Sequence, residues 1–118
     1  MQMKYFTIEE FECKCGCKEN RISDKLISML DDARDIAKVP FTITSGFRCE
    51  KHNKEVGGKD GSSHTKGLAV DISATDSRQR YSILNALIAV GFDRVGIAKN
   101  FIHADIDTLK VSEVIWVY

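Results

Sequence analysis

The chain has 118 residues, with 43% hydrophobic and 29% charged side chains, the proportions of a soluble globular protein with one domain and a core of its own. Lys+Arg and Asp+Glu each number 17, so the formal net charge is zero, which argues against nucleic acid as the main partner because such binding draws on a basic excess. No apolar run has the length of a membrane span, and the N-terminal residues lack the apolar stretch of a signal peptide. The expectation is a chain made in the cytoplasm, whose work outside would depend on another export route or on lysis.

Thr7-Ile8-Glu9-Glu10 fits a capping box and predicts a short helix or turn. It runs into Cys13-Lys14-Cys15-Gly16-Cys17, which with Cys49 completes the four cysteines. This is not the Cys-x-x-Cys spacing of a zinc ribbon or a redox motif. Three readings stay open: reduced and partly buried thiols, a disulfide from Cys49 back to the cluster, or a small second metal site.

Residues 23–38 read as the first long helix. Ser23 is its N-cap and Asp24 suits its first turn. Leu26, Met29, Leu30, Ala33 and Ala37 form one apolar stripe. Val39-Pro40 stops it, since the residue before proline is biased away from helix. Phe41 to Thr44 predicts a short strand by its β-branched and aromatic content. Residues 49–56 form one or two helical turns, closed by Gly57-Gly58. Residues 59–66 are polar and glycine-containing and predict a loop. Leu68 to Ile72 follows as a buried strand.

Asp76 and Gln79 make a second capping box. The helix that starts there runs to Val90, with Gly91 as its C′ residue. Arg94 to Ala98 and Phe101 to Ile106 predict a hairpin turning at Lys99-Asn100. Val114 to Tyr118 is a last strand. The sum is an α+β domain in which a small, mostly antiparallel sheet packs against two main helices.

Two segments carry chemistry. His64 lies on the loop entering the 68–72 strand, and Asp71 lies near that strand's end. Gly67 lets the backbone turn between them without a side-chain clash. His103 and Asp105 are two apart on a strand and so share a face. If the hairpin lies beside the 68–72 strand, His64, Asp71 and His103 come within reach of one ion. Two imidazoles and one carboxylate suit zinc with its fourth position open, the arrangement that activates water rather than one that only holds a fold together. Asp71 in an otherwise apolar strand supports this, because a buried charge needs a partner or a metal. Asp105 is the candidate general base; Asp107, on the same face, is either an alternative or a solvated residue. His52 reads as an ordinary polar residue with its hydrogen bonds satisfied.

These residues resemble a known family. Ser62-x-His64-x-x-Gly67-x-Ala69-x-Asp71 is similar to the first signature of the zinc D-alanyl-D-alanine carboxypeptidases, a family that includes phage L-alanyl-D-glutamate endopeptidases. Thr44-Ser45-Gly46-Phe47-Arg48, with Asn53 and Gly57-Gly58, resembles its upstream segment, and Phe101-Ile102-His103-Ala104-Asp105 the segment bearing its last zinc ligand. The likeness covers nearly all of the chain from about Phe6. It implies a fold of the hedgehog/D,D-peptidase type, zinc on His64, Asp71 and His103, and Arg48 on a substrate carboxylate or oxyanion. It implies that Ser62 steadies a ligand or the substrate, the alternative for Ser62 being a loop cap. The implied substrate is the peptide stem of bacterial peptidoglycan, met after lysis or from a phage particle.

One departure stands out. Many relatives carry a carboxylate three residues before the last histidine, as the base. Here that position is Asn100, which cannot take a proton. Either Asp105 does so, or the chain keeps zinc as a catalytically impaired module that binds wall peptides or a protein partner. A third reading is a structural metal domain built on the cysteines.

Overall fold

The protein is described over residues 3–118 by a computed structural model. Its helices begin where side chains can satisfy the backbone donors that a first turn leaves free. Ser23 Oγ accepts the Leu26 N–H at 3.3 Å and opens α1 (Asp24–Ala37). Asp76 Oδ1 accepts the Gln79 N–H at 2.9 Å and opens α3 (Ser77–Ala89). Between them, α2 (Glu50–Glu55) is a short helix whose cap is Cys49. α1 closes at Lys38, which takes a left-handed φ of 56° just ahead of Val39-Pro40. α3 closes over Gly91, at φ 105°, where a glycine avoids the steric cost of that conformation.

Five strands form one sheet: β1 (Ile43–Ser45), β2 (Ala69–Ser73), β3 (Arg94–Ile97), β4 (Phe101–Asp105) and β5 (Val114–Val117). Their order is β1-β2-β4-β3-β5. Every neighbouring pair is antiparallel except β3 and β5, which run parallel. The expected hairpin is β3–β4, and it does lie beside β2.

The sheet's alternation separates core from site. Val70 and Ile72 on β2, with Ile102 and Ala104 on β4, join Leu26, Leu30, Ile83 and Leu87 of the two long helices in one buried cluster. Each of the Val, Leu and Ile side chains contributes about 1.5–3 kcal/mol when taken out of water. The intervening positions, Asp71, His103 and Asp105, fall on the opposite face by the period of two.

Two segments differ from expectation. The first strand starts at Ile43 rather than Phe41, and Phe41 packs into the core instead. Residues Ser63–Lys66 form a 3-10 turn, not a plain loop, because Ser62 Oγ caps it at the His64 N–H. No helix among the described residues is long and apolar enough to cross a membrane.

Candidate active site

The register of β2 against β4 sets Asp71 directly opposite His103. The 3-10 turn carries His64, and Gly67 at φ 72° returns the chain to β2. A Cβ on Gly67 would sit 1.9 Å from the Arg21 carbonyl oxygen, so this approach requires glycine. The turn brings His64 Nε2 to 3.3 Å from Asp71 Oδ1, and His103 Nδ1 lies 3.1 Å from the same oxygen. All three donor atoms fall within 4.8 Å of one another. Ligand bonds of about 2.0–2.1 Å around a tetrahedral zinc would space nitrogen and oxygen donors about 3.3 Å apart. The set fits.

The far nitrogen of each ring supports the same assignment. His64 Nδ1 lies 2.8 Å from the Gly46 carbonyl oxygen, which can only accept a hydrogen bond. That leaves the Nε2 lone pair facing Asp71. His103 Nε2 lies 2.7 Å from Asp105 Oδ2, which leaves Nδ1 for the site. Outer partners of this kind fix the tautomer and orientation of a metal-binding histidine.

Charge reinforces the arrangement. Burial alone would raise the Asp71 carboxyl, but in the metal-free protein His103 and His64, each with an N–H turned toward it, outweigh burial and hold the group well below the usual carboxylate range; a bound ion would take the place of those protons. Burial would likewise raise Asp105, yet His103, the Asp107 N–H and Arg94 hold it down. For His103, burial acts downward and is outweighed by Asp105 and Asp71, which push the ring above its ordinary value.

Arg48 is tied into the site rather than exposed. Its Nε donates to Ser45 Oγ at 3.0 Å, one terminal nitrogen to Asn53 Oδ1 at 3.2 Å and the other to Asp71 Oδ2 at 3.4 Å. Ser62 Oγ accepts the His64 backbone N–H at 3.2 Å and so caps the turn, and the residue also lines the cleft. Asp105 is 1% exposed, and both of its oxygens are engaged. Oδ2 meets His103; Oδ1 accepts from Arg94 Nε at 2.8 Å and from the Asp107 N–H at 3.1 Å.

Asp107 is neither a solvated residue nor a group facing the donors. It is buried, accepting from Ser63 Oγ at 2.8 Å and Lys66 Nζ at 3.0 Å. The strand ends at Asp105, so alternation no longer governs where Asp107 points. His52 also departs from expectation, because its Nδ1 is buried without a hydrogen-bond partner. Asn100 sits exposed in the β3–β4 turn.

The cleft over the three donors is lined by Arg48, Lys59, Ser62, Trp116 and Tyr118. Trp116 lies in the chain's ending, Trp116-Val117-Tyr118, which fits compact members of the family the chain resembles but to which the motifs give no role. Its ring centroid lies 5.3 Å from that of His103, and the Arg94 guanidinium carbon lies 5.1 Å from it. It reaches this place because β5 joins β3 in parallel, opposite Gly96, and no local signal announces that pairing. Gly46 belongs to the segment upstream of Arg48, and its carbonyl is the partner of His64 Nδ1. The cysteines are all free thiols, so no disulfide ties Cys49 to the cluster.

In comparison with known proteins, a family model described as Peptidase M15 matches residues 4–105. The matched span contains His64, Asp71, His103 and Asp105. No curated protein matches the chain.

Proposed function

The chain belongs to the peptidase M15 family, and we propose that it is a zinc-dependent peptidase that hydrolyses amide bonds in the peptide stems of bacterial peptidoglycan, next to a D-amino acid. The observation that carries this reading is the donor set of His64 Nε2, Asp71 Oδ1 and His103 Nδ1, on three buried residues beneath an accessible cleft. Zinc held there supplies a Lewis acid for the scissile carbonyl and brings the pKa of water toward about 7.

The chain's own residues complete the site. Gly46 and Asp105 hold the two imidazoles with the correct nitrogens presented. Arg48 braces Asp71 and, with five N–H donors and three contacts in the fold, keeps hydrogen-bonding capacity for a substrate carboxylate or a developing oxyanion. Lys59 adds positive charge to the cleft, which suits a stem peptide bearing carboxylates. Trp116 covers one side of His103 and limits its access to water.

Asp105 and Asp71 are the carboxylates that line the cleft among the described residues. With both oxygens of Asp105 committed to neighbours, we assign it to positioning His103 rather than to accepting a proton from water. The resemblance of the His64 and His103 segments to the D-alanyl-D-alanine carboxypeptidases supports the substrate class.

Digestion of purified peptidoglycan, with fragments identified by mass spectrometry, tests the reading. Release of stem fragments cut beside a D-residue is expected, and the masses distinguish loss of a terminal residue from cleavage within the stem. An intact sacculus after treatment with zinc-loaded protein would contradict it.

A further inference from the structure

A second cluster of metal-ligand side chains lies apart from the histidines. The Sγ atoms of Cys13, Cys15, Cys17 and Cys49 all fall within 4.8 Å of one another. Cys13 Sγ is 3.5 Å from Cys15 Sγ and 3.7 Å from Cys49 Sγ, and the Cys15–Cys49 separation is also 3.7 Å. A disulfide needs about 2.05 Å, so these are not bonded pairs. Zinc–sulfur bonds of about 2.3 Å in a tetrahedron put sulfurs about 3.8 Å apart, and the observed spacings fall close to that edge.

The backbone is shaped to produce this convergence. In an extended chain, side chains two residues apart sit roughly 6.6 Å from each other. Here residues 14–17 form a turn, with Gly16 at φ 91° and Lys18 at φ 62°, closed by the Cys13 N–H on the Glu19 carbonyl at 2.9 Å. Three cysteines thereby face one point, and Cys49 meets them from the turn before α2. Backbone N–H groups also aim at the sulfurs. Those of Cys49, His52 and Glu19 donate to Cys13, Cys49 and Cys17 respectively, each at 3.4 Å. Such donors favour thiolate over thiol and orient metal-binding sulfur.

We propose that Cys13, Cys15, Cys17 and Cys49 bind a second zinc ion, tetrahedrally and with no open position, as a structural clip. Four thiolates fill the coordination sphere, so this site lacks the vacant position that chemistry requires. The clip ties residues 13–17 to the turn carrying Arg48, one residue before Cys49 and in contact with the ligand Asp71. It thus helps to fix the backbone that carries Arg48. The proposal does not depend on the peptidase reading.

The test uses the full chain, purified under reducing conditions without chelator, with zinc measured by elemental mass spectrometry. Wild type is expected to carry about two zinc ions per chain, and about one in both the His64→Ala/His103→Ala variant and the Cys15→Ser/Cys17→Ser variant. Cys15 and Cys17 are chosen because both are exposed while Cys13 is buried. Cobalt substitution gives an independent readout. An intense thiolate-to-cobalt charge-transfer absorption should appear in the histidine variant and be lost in the cysteine variant. If the cysteine variant fails to fold, the cobalt spectrum of the histidine variant still decides. Absence of that absorption, iron in place of zinc, or masses showing cysteines oxidised in pairs would each overturn the proposal. Wild-type protein that carries the thiolate signature but leaves peptidoglycan intact would count against the peptidase reading alone.

Discussion

Asp105 Oδ2 and Asp71 Oδ1 lie against the two ring nitrogens of His103, at 2.7 Å and 3.1 Å. One imidazole thus joins a carboxylate of the candidate metal set to a carboxylate behind it. The two carboxylates therefore have different work, although both are buried and both are held ionised.

Replacing Asp105 separates positioning from proton transfer. Asp105→Ala is expected to weaken zinc binding about 10- to 100-fold, with activity recovering as zinc is added. Measuring zinc affinity alongside the hydrolysis rate checks this. Unchanged affinity with activity lost at every zinc concentration would make Asp105 the base.

Arg48→Lys keeps the charge but loses the fork that spans Ser45, Asn53 and Asp71. Charge-assisted hydrogen bonds of about 1.5–3 kcal/mol make a fall of about 10- to 100-fold in kcat/KM the expected result. Steady-state kinetics on a stem peptide and on its amide-capped analogue identify what Arg48 grips. If it holds the terminal carboxylate, capping and mutation should cost much less together than the product of their separate effects.

Gly67→Ala should destabilise the fold far more than Gly61→Ala. Both glycines have left-handed φ, 72° and 73°, but only at Gly67 would a Cβ meet backbone, 1.9 Å from the Arg21 carbonyl oxygen. The conformational cost alone is about 1–2 kcal/mol, which is the expected loss at Gly61. Denaturant unfolding of the two variants measures the difference, and equal midpoints would contradict the account.

Asp107 should contribute to stability in a pH-dependent way. Burial acts to raise its carboxyl, but Lys66 and Ser63 outweigh burial and hold it below the usual value. A folded-state pKa below the unfolded value of about 3.9 gives stability that is present above that pH and lost as pH falls through the folded value. Asp107→Asn is therefore expected to destabilise the protein by about 1–3 kcal/mol at neutral pH, and by progressively less below about pH 4. Unfolding curves across that range test it; a constant difference down to strong acid would rule it out.

Local chemistry explains which features could be read beforehand. Ser23, Asp76 and Gly91 announce helix ends because capping is a matter of a few adjacent residues. His64, Gly67 and Asp71 are legible because a turn and a strand fix their spacing within eight residues. The pairing of Asp71 with His103 is long-range, and the residues establish it only once β4 lies beside β2. Asp107 leaves the expected face because strand alternation does not extend past Asp105, where the strand stops. Trp116 depends on a parallel pairing at the sheet edge, and the meeting of Cys49 with the other cysteines on a tertiary approach. Neither leaves a periodic mark in the chain.

The central claim is that His64, Asp71 and His103 hold one zinc ion and that this ion is needed to cut stem peptides. Zinc affinity and wall hydrolysis measured together for His103→Ala address it most directly. The account predicts that the site's zinc and the hydrolysis disappear together while the variant stays folded by circular dichroism. Undiminished cleavage of peptidoglycan by that variant would contradict it.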